Sequence, residues 1–365
     1  MTVKSRSPLL SWTVLLPLLG VLALIPTWGR DLGVLPVILV ALVLAGTVLA
    51  AVHHAEVVAL RVGEPFGSLV LAVAVTVIEV ALIITLMISG GPDTASLARD
   101  TVFAAVMITT NGIVGIALLV GALRYGVTLF NSEGSGAALA TVATLATLSL
   151  VLPTFTTSTP GPVFSTGQLT FAALASLALY ALFVFTQTGR HRDFFLPVTG
   201  EGVVQAEEHV APPTAREAWT SLALLVVALV AVVGLAKVES PAIEAGVRAA
   251  GFPQSFVGVV IALLVLLPET LAATRAALRD RIQISINLGF GSAMASIGLT
   301  IPAIAVASIW LEGPLELGLG ATQMVLLALT VTVGVLTVVP GRATRLQGGV
   351  HLVLLAAFLF LAINP

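Results

Sequence analysis

The sequence predicts an all-α integral membrane protein with about 11 transmembrane helices, and three observations carry that prediction. Of the 365 residues, 58% are hydrophobic and only 9% are charged, with a mean hydropathy of +1.11, whereas a soluble domain carries about 25% charged residues. The apolar residues form 11 continuous stretches of roughly bilayer-spanning length. The positive charges between them fall mainly on one side. Lipid must therefore cover most of the surface.

The 11 stretches are rich in Leu, Val and Ala and are too continuous for a membrane barrel, whose strands alternate over about ten residues. The first stretch, preceded by Lys4 and Arg6, could mimic a signal peptide. No clean cleavage site follows it, so it is interpreted as the first helix. The stretches run approximately over 8–28, 33–53, 66–89, 99–123, 136–157, 167–188, 217–237, 253–275, 282–310, 317–339 and 346–363.

The distribution of Lys and Arg predicts the orientation, because cytoplasmic loops are enriched in these residues. A cytoplasmic N-terminus puts 12 of the 16 positive residues inside and leaves only Arg30, Arg99, Lys237 and Arg248 outside. Pro365 then lies outside. The net charge of −2 offers no basic surface for nucleic acid, and the absence of cysteine excludes disulfides and thiolate metal sites.

The two halves of the sequence resemble each other in three features that occur in the same order. A motif of Glu, six residues, Gly, one residue and Pro precedes an apolar helix in each half; an Arg-Asp pair introduces the next helix; a small polar pair follows. The copies are Glu56-Gly63-Pro65 and Glu244-Gly251-Pro253, Arg99-Asp100 and Arg279-Asp280, and Asn111-Gly112 and Gly291-Ser292. In each half, the apolar helix that follows the Glu-Gly-Pro motif carries one central glutamate, Glu79 in the first half and Glu269 in the second.

This correspondence predicts two repeats of opposite orientation, because an odd number of spans separates them. Inverted repeats are typical of secondary transporters, whose binding site lies where the repeats meet near the bilayer midplane. The predicted domains are an extra N-terminal transmembrane helix (1–30), a first inverted five-helix repeat (31–188), a cytoplasmic linker (189–216) and a second inverted repeat (217–365).

Glu79 and Glu269 are the residues to which the sequence assigns the chemistry. An unpaired carboxylate facing lipid would cost at least about 2.5–3.5 kcal/mol, so each must face a partner or cavity or hold a proton. Burial and a second nearby carboxylate both favour the protonated form. The pair can therefore hold protons or share a metal ion, and oxygen ligands of this kind suit hard cations such as Ca²⁺. Because cation and protons exclude each other, the arrangement predicts an antiporter.

Other polar residues are candidates for support. Asn111 and Ser292, on the helices after the glutamate helices, could ligate the cation or orient the glutamates, and Pro268 would free a backbone carbonyl beside Glu269. Glu56, Glu244 and His54 are candidates for proton relay or access, although an interfacial polar cap is the favoured interpretation of His53 and His54. Glu239 and three further glutamates are expected at solvated helix ends, although Glu239 and Glu244 could gather cations at an outer mouth. The glycines are expected to serve mainly in helix packing. The three glutamates are Glu64, Glu312 and Glu316.

The sequence resembles the calcium/cation antiporter superfamily, specifically its bacterial ChaA-type calcium/proton branch, over nearly its whole length. The stretches that carry the resemblance are HHAEVVALRVGEPFGSLVLAVAVTVIEVALI, NGIVGIALLVGALRYG and LLPETLAATRAALRDRIQISINLGFGSAMASIGLTIPA. The resemblance implies exchange of Ca²⁺, or of Na⁺ and K⁺, for protons in a bacterial inner membrane, with Glu79 and Glu269 as the central acidic residues. It implies Ca²⁺ as a transported substrate, no cofactor and no enzymatic activity, and it leaves the oligomeric state open.

One departure bears on the choice of cation. The superfamily often has Gly-Asn shortly before each central glutamate, where this sequence has Val75-Thr76 and Val265-Leu266. Without that amide ligand, the site would rely on Thr76, Asn111 and carbonyl groups, which leaves room for monovalent ions. Two other classes remain as alternatives. A cation channel fits titratable central groups less well, and a membrane enzyme would need a nucleophile or metal cluster within the spans, whereas the histidines are expected at helix ends.

Overall fold

The computed structural model describes residues 11–63, 66–90, 94–189, 191–198, 212–311 and 313–365. Within these ranges ten helical segments are long and apolar enough to cross a membrane, and Trp12–Thr27 forms a shorter apolar helix. The prediction of an all-α, multi-pass membrane fold is thereby confirmed. Several residues used in the sequence argument lie outside the described residues, namely Lys4, Arg6, Glu64, Pro65, Arg190, Glu312 and linker residues 199–211.

Thirteen α-helices follow one another within the described residues. They are α1 (Trp12–Thr27), α2 (Val34–Val62), α3 (Phe66–Gly90), α4 (Leu97–Met107), α5 (Val114–Tyr125), α6 (Ser132–Ala146), α7 (Thr166–Thr188), α8 (Ala215–Ala249), α9 (Phe256–Ala277), α10 (Ile282–Gly298), α11 (Thr300–Ala307), α12 (Ala321–Val338) and α13 (Arg345–Ile363). A π-helical turn, Ile108–Ile113, joins α4 to α5 in one span, and a second one, Thr147–Val151, extends α6. Two short strands, β1 (Thr128–Leu129) and β2 (Arg342–Ala343), pair antiparallel.

Local sequence explains where several helices begin and end. Capping boxes start α7 at Ser165 and α8 at Thr214, where the cap hydroxyl accepts from the backbone N–H three residues on. Gly63 and Gly251 follow α2 and α8 with φ of 75° and 74°, a conformation that other residues rarely adopt. The glycine of the repeated Glu-Gly-Pro motif therefore has the same structural role in both copies: it allows the chain to leave the helix.

The described helices belong to two compact units. The first unit covers residues 1–90 and 210–250 and contains α1, α2, α3 and α8. Small residues allow its helices to approach closely: a Cβ added at Gly20 of α1 would lie 2.9 Å from the Ala231 side chain on α8 and 3.0 Å from Thr47 Oγ1 on α2. At the C-terminal end of α2, the Arg61 guanidinium donates to the Pro213 carbonyl just before α8 begins. Helices α2 and α8 therefore run antiparallel.

The second unit covers residues 91–209 and 251–365 and contains the remaining helices. At its centre is the span formed by α4, the π-helical turn and α5: 89% of an 18-residue apolar window of this span is buried, against 22% of the corresponding windows of α7 and α13. The glutamate-bearing helix α9 packs against this central span and against α10. At Gly258 of α9 a Cβ would lie 2.7 Å from the backbone nitrogen of Thr101 on α4, so the two helices are in direct backbone contact.

Three helix boundaries differ from the prediction. Helix α8 was expected to end near 237 but continues to Ala249, because Pro241 and the polar residues around it are accommodated within the helix. Helix α2 likewise continues past 53 to Val62. Arg99-Asp100 lies in the first turn of α4 rather than before it, whereas Arg279-Asp280 does precede α10 and Asp280 adopts a φ of 60°. The two copies of the Arg-Asp pair thus have different local roles.

Candidate functional site

Glu79 lies in the middle of α3, in the first unit, and is buried, with 3% of its surface exposed. Thr76 is buried one helical turn earlier and shares its face of the helix, because residues three apart lie one above the other. The surrounding side chains on α3, Ile78, Leu82 and Ile83, are apolar and buried. The predicted glutamate therefore has the expected apolar setting, with one hydroxyl at hand.

Glu269 lies in α9, in the second unit, and is also buried. Pro268 precedes it within the helix, so the helix lacks one backbone hydrogen bond next to the carboxyl group. The hydroxyl of Thr270 donates to the Leu266 carbonyl of its own helix at 2.8 Å. Glu79 and Glu269 thus place a buried glutamate in an apolar helix of each unit. No group of three or more His, Asp or Glu that could hold a metal ion occurs among the described residues.

Asn111 lies in the π-helical turn between α4 and α5 and is fully buried. Its amide oxygen accepts from Nδ1 of His351 on α13 at 3.0 Å, and its amide nitrogen donates to Oγ1 of Thr330 on α12 at 2.9 Å. Nε2 of His351 accepts from the hydroxyl of Thr337 at 3.0 Å. This chain of four side chains, which we call the Asn111 network, ties three helices of the second unit together. Ligation of a cation by Asn111 stays a prediction.

The sequence argument missed His351, Thr330 and Thr337. Histidines were expected at helix ends, and His351 contradicts this, because it lies inside α13 with only 1% of its surface exposed. The available signal was an ionisable residue within the apolar stretch 346–363, a pattern that marks functional positions in membrane helices. The π-helical turn around Asn111 strengthens that signal, because such turns are frequent at functional sites.

Ser292 lies on α10, half-buried, and α10 packs against α9. The other polar residues of α10 bind protein groups: Ser285 donates to the Ala273 carbonyl of α9 at 2.7 Å, and Asn287 donates to the Phe195 carbonyl at 2.6 Å. Gln283 accepts from the backbone nitrogen of Asn131 at 2.6 Å, just before α6. These three residues therefore hold the helices of the second unit together.

The proposed relay residues lie in the first unit but are far apart. Glu56 is exposed near the end of α2 where Arg61 contacts Pro213, while Glu244 lies 29 residues beyond Ala215 along α8, about 43 Å at 1.5 Å per residue. The two therefore lie at opposite ends of this unit. His54 is buried, and its Nε2 is 2.9 Å from the Thr13 carbonyl of α1, so this ring joins α2 to α1. The half-buried Glu244 accepts from the hydroxyl of Ser240 at 3.4 Å.

Glu239 corrects the expectation of a solvated helix end. It lies within α8 with 2% of its surface exposed, and its Oε1 has no hydrogen-bond partner. Its neighbour Lys237 places its Nζ 5.2 Å from the centre of the Trp28 ring at the end of α1. Glu239 was assigned to solvent because α8 was expected to end two residues earlier.

Comparison with known proteins decides the family. The profile of the sodium/calcium exchanger protein family matches residues 31–189 and 220–364. The chain belongs to the sodium/calcium exchanger protein family. The two matched stretches exclude α1 and most of the linker. Membership in a family of cation exchangers favours a transporter over the alternative of a membrane enzyme.

Relatives within the family match almost the whole chain. A putative ionic transporter of Sinorhizobium fredii, y4hA, is 46% identical over 99% of this chain and 98% of its own length. The sodium-potassium/proton antiporter ChaA of Escherichia coli is 34% identical over 95% of this chain and 94% of its own. A Ca²⁺/H⁺ antiporter of Aphanothece halophytica is 22% identical over 85% and 86%, respectively.

Solved structures of exchangers share the fold. The structure of native YfkE covers 97% of this chain and 99% of its own, with a TM-score of 0.71 and 15% identity. The H⁺/Ca²⁺ exchanger CAX covers 95% of this chain and 86% of its own, with a TM-score of 0.70 and 15% identity. The exchanger fold of the family is therefore also the fold of this chain.

Proposed function

We propose that the protein is a secondary cation/proton antiporter in which Glu79 and Glu269 bind either a cation or protons. The observation that carries the proposal is that Glu79 and Glu269 place a buried carboxyl group in the middle of an apolar transmembrane helix in each unit. In such a setting a carboxyl group is stable either as a carboxylate with a cation beside it or as a neutral, protonated group. Because both cannot be present at once, each carboxyl group couples the passage of a cation to the opposite passage of protons.

The substrate class is a hard cation, because carboxylate, hydroxyl and carbonyl oxygens are the available ligands around both glutamates. Ca²⁺, exported in exchange for protons, is the first candidate, in agreement with the Ca²⁺/H⁺ antiporter among the relatives. Na⁺ and K⁺ form the second candidate. They are favoured by the 34% identity to a sodium-potassium/proton antiporter and by Thr76 and Leu266, which stand where the superfamily often has an amide ligand.

The experiment uses purified protein in liposomes that contain a pH-sensitive dye. CaCl₂, NaCl or KCl is added outside in turn, and proton movement is followed with the membrane potential clamped by an ionophore that does not carry the tested cation. We expect at least one of these salts to drive protons across the membrane. Protein-free liposomes and choline chloride serve as controls. Absence of proton movement with all three cations would contradict the proposal, and a current without proton coupling would indicate a channel.

Around the two glutamates, we assign Thr76, Asn111 and Ser292 as further cation ligands, and Glu56, Glu244 and His54 as access groups. Thr76 is the best supported, since it lies on the face of Glu79. Glu56 and Glu244 lie at opposite ends of the first unit, which suits access from opposite sides of the membrane. Glu79→Gln and Thr76→Val should both reduce cation-driven proton movement. For Thr76→Val we expect this as a higher cation concentration at half-maximal exchange.

We further infer a cytoplasmic N-terminus and two inverted repeats, 31–188 and 217–365, in a bacterial inner membrane. The equal roles of Gly63 and Gly251 at the ends of α2 and α8 support the repeats. Because the chain contains no cysteine, single cysteines report topology without further changes. In intact cells an impermeant maleimide should label Arg30→Cys and should leave Arg124→Cys unlabelled until the membrane is opened. Both positions are exposed, so the reverse pattern would overturn the orientation.

A further inference from the structure

A further buried carboxyl group, that of Glu239, lies in the same unit as Glu79 but on a different helix. Only 2% of the surface of Glu239 is exposed, and its Oε1 has no hydrogen-bond partner. The antiport scheme built on Glu79 and Glu269 leaves this group without a role. A buried polar atom without a partner is rare in native structures, so it calls for a ligand or a functional explanation.

No cation neutralises Glu239 among the described residues. The ion pairs found there join Arg99 to Asp100 and to Glu316, all in the second unit. Lys237, two residues earlier on α8, is held over the Trp28 ring. The hydroxyl of Ser240 points to the carboxylate of Glu244. Lys237 and Ser240, the neighbours of Glu239 along α8, are therefore both directed to other groups.

The helices packed against α8 provide no counter-charge at this end either. These are α1, α2 and α3. Helix α1 has no titratable residue, and α3 has only Glu79. The titratable residues of α2 all lie in its last ten positions, near Pro213 and the start of α8, whereas Glu239 lies 24 residues further along α8. They are His53, His54, Glu56 and Arg61. Between α1 and α2, Arg30 and Asp31 are exposed.

Electrostatics then decides the state of this group. Transfer of an ionised carboxylate from water into an apolar interior without a partner is so costly that the group takes up a proton instead. A neutral carboxyl group lacks that cost and needs at most one or two hydrogen bonds. Pro241 lies two residues on and lacks the backbone N–H that would bind the Lys237 carbonyl, so this carbonyl loses its usual helical partner within one turn of Glu239.

We propose that Glu239 is a third proton-binding site, separate from Glu79 and Glu269. Its carboxyl group holds a proton while no cation is bound and releases the proton when a cation binds to the protein. The proposal rests on the proposed antiport activity. It assigns to the first unit two carboxyl groups that exchange protons, Glu79 on α3 and Glu239 on α8. The proton leaves the carboxyl oxygen for water, and the negative charge of the carboxylate that remains is neutralised by the entering cation.

The protonation state is measured first, by infrared spectroscopy of the wild type in lipid. A protonated carboxyl group gives a carbonyl-stretch band that a carboxylate does not. We expect Glu239→Gln to remove one such band and Glu217→Gln, an exposed glutamate of the same helix, to leave it intact. If Glu239→Gln fails to fold, Glu239→Asp keeps a carboxyl group and should move the band. A band unchanged in both Glu239 variants would overturn the proposal.

The release step is measured second, in weakly buffered detergent solution with a pH indicator. A saturating pulse of the cation that drives exchange should release one proton fewer per chain from Glu239→Gln than from the wild type, and an unchanged number from Glu217→Gln. Equal release from the wild type and Glu239→Gln would also overturn the proposal, because the carboxyl group would then be a permanently protonated structural group. Failure of the antiport hypothesis looks different: the wild type itself then releases no proton with any cation, while the infrared band still reports on Glu239.

Discussion

Replacement of Thr330 by valine tests whether the Asn111 network stabilises the second unit. Valine has nearly the shape of threonine, so Thr330→Val removes a buried hydroxyl group with little change in volume. The amide nitrogen of Asn111 then loses its acceptor at 2.9 Å, and what remains is the Thr110 hydroxyl at 3.4 Å and the Met107 sulfur at 3.9 Å. Both are poor substitutes at those distances.

The expected cost follows from the burial of these groups. A buried donor left without an acceptor costs about 1–3 kcal/mol, and hydrogen bonds between membrane helices measure about 0.6 kcal/mol on average, with a maximum of about 1.7. We therefore expect Thr330→Val to lower the free energy of unfolding by about 1–2 kcal/mol, close to a tenfold change in the unfolding equilibrium. Thr332→Val on the same helix is the matched control. Its hydroxyl is exposed and bonds only the Ala328 carbonyl, so we expect a change within about 0.5 kcal/mol.

The assay is unfolding in mixed micelles with increasing sodium dodecyl sulfate, followed by helical circular dichroism. A double-mutant cycle adds Thr337→Val, which removes the hydroxyl that donates to Nε2 of His351 at the other end of the network. If the network acts as a unit, the two changes should be non-additive by at least about 0.5 kcal/mol. Equal stability of Thr330→Val and Thr332→Val, together with additivity, would refute the reasoning.

Two further predictions use the same unfolding assay. Gly348→Ala should destabilise the protein by about 1–3 kcal/mol, because its Cβ would lie 2.5 Å from the backbone nitrogen of Leu119, whereas Gly349→Ala meets no atom within 4 Å and should be neutral or stabilising by up to about 1 kcal/mol. Equal effects of Gly348→Ala and Gly349→Ala on stability would show that α13 and α5 are packed less closely than the structure indicates. Asp100→Asn should cost about 1–3 kcal/mol, since the buried carboxylate accepts from Ser96 at 2.9 Å and from Arg99 at 2.8 Å, while Glu316→Gln, at 4.0 Å from Arg99, should cost at most about 1 kcal/mol. A larger loss for Glu316→Gln would reverse the ranking.

The sequence was sufficient to predict the helical spans, because continuous apolar stretches of this length have few alternatives to a membrane helix. It also identified the buried positions of Glu79 and Glu269, since a carboxyl group amid Val, Ile and Leu cannot be placed in solvent. The Glu-Gly-Pro motif was informative because its glycine has a backbone role, which Gly63 and Gly251 both fulfil with a positive φ.

The remaining features depend on contacts between distant segments or on helix ends that composition describes poorly. The polar run around Lys237 and Glu239 resembles a loop, and only the packing of α8 against α1, α2 and α3 shows that it is helical. The partners of Asn111 lie 219 and 240 residues away in the chain, so no local pattern indicates them. The extended α8 and the Asn111 network were therefore beyond sequence patterns, although the isolated His351 in an apolar stretch was a usable signal.

The most direct test of the central claim is cation-driven proton movement in liposomes that contain Glu79→Gln or Glu269→Gln. Glutamine keeps the size of glutamate but can neither release a proton nor neutralise a cation. Glu133→Gln, an exposed glutamate next to the cap of α6, serves as the matched control. We predict that each central variant remains folded by circular dichroism and reduces exchange to the level of protein-free liposomes, while Glu133→Gln retains wild-type exchange. Proton-coupled exchange at the wild-type rate in both central variants would contradict the assignment of Glu79 and Glu269 as the coupled cation and proton site.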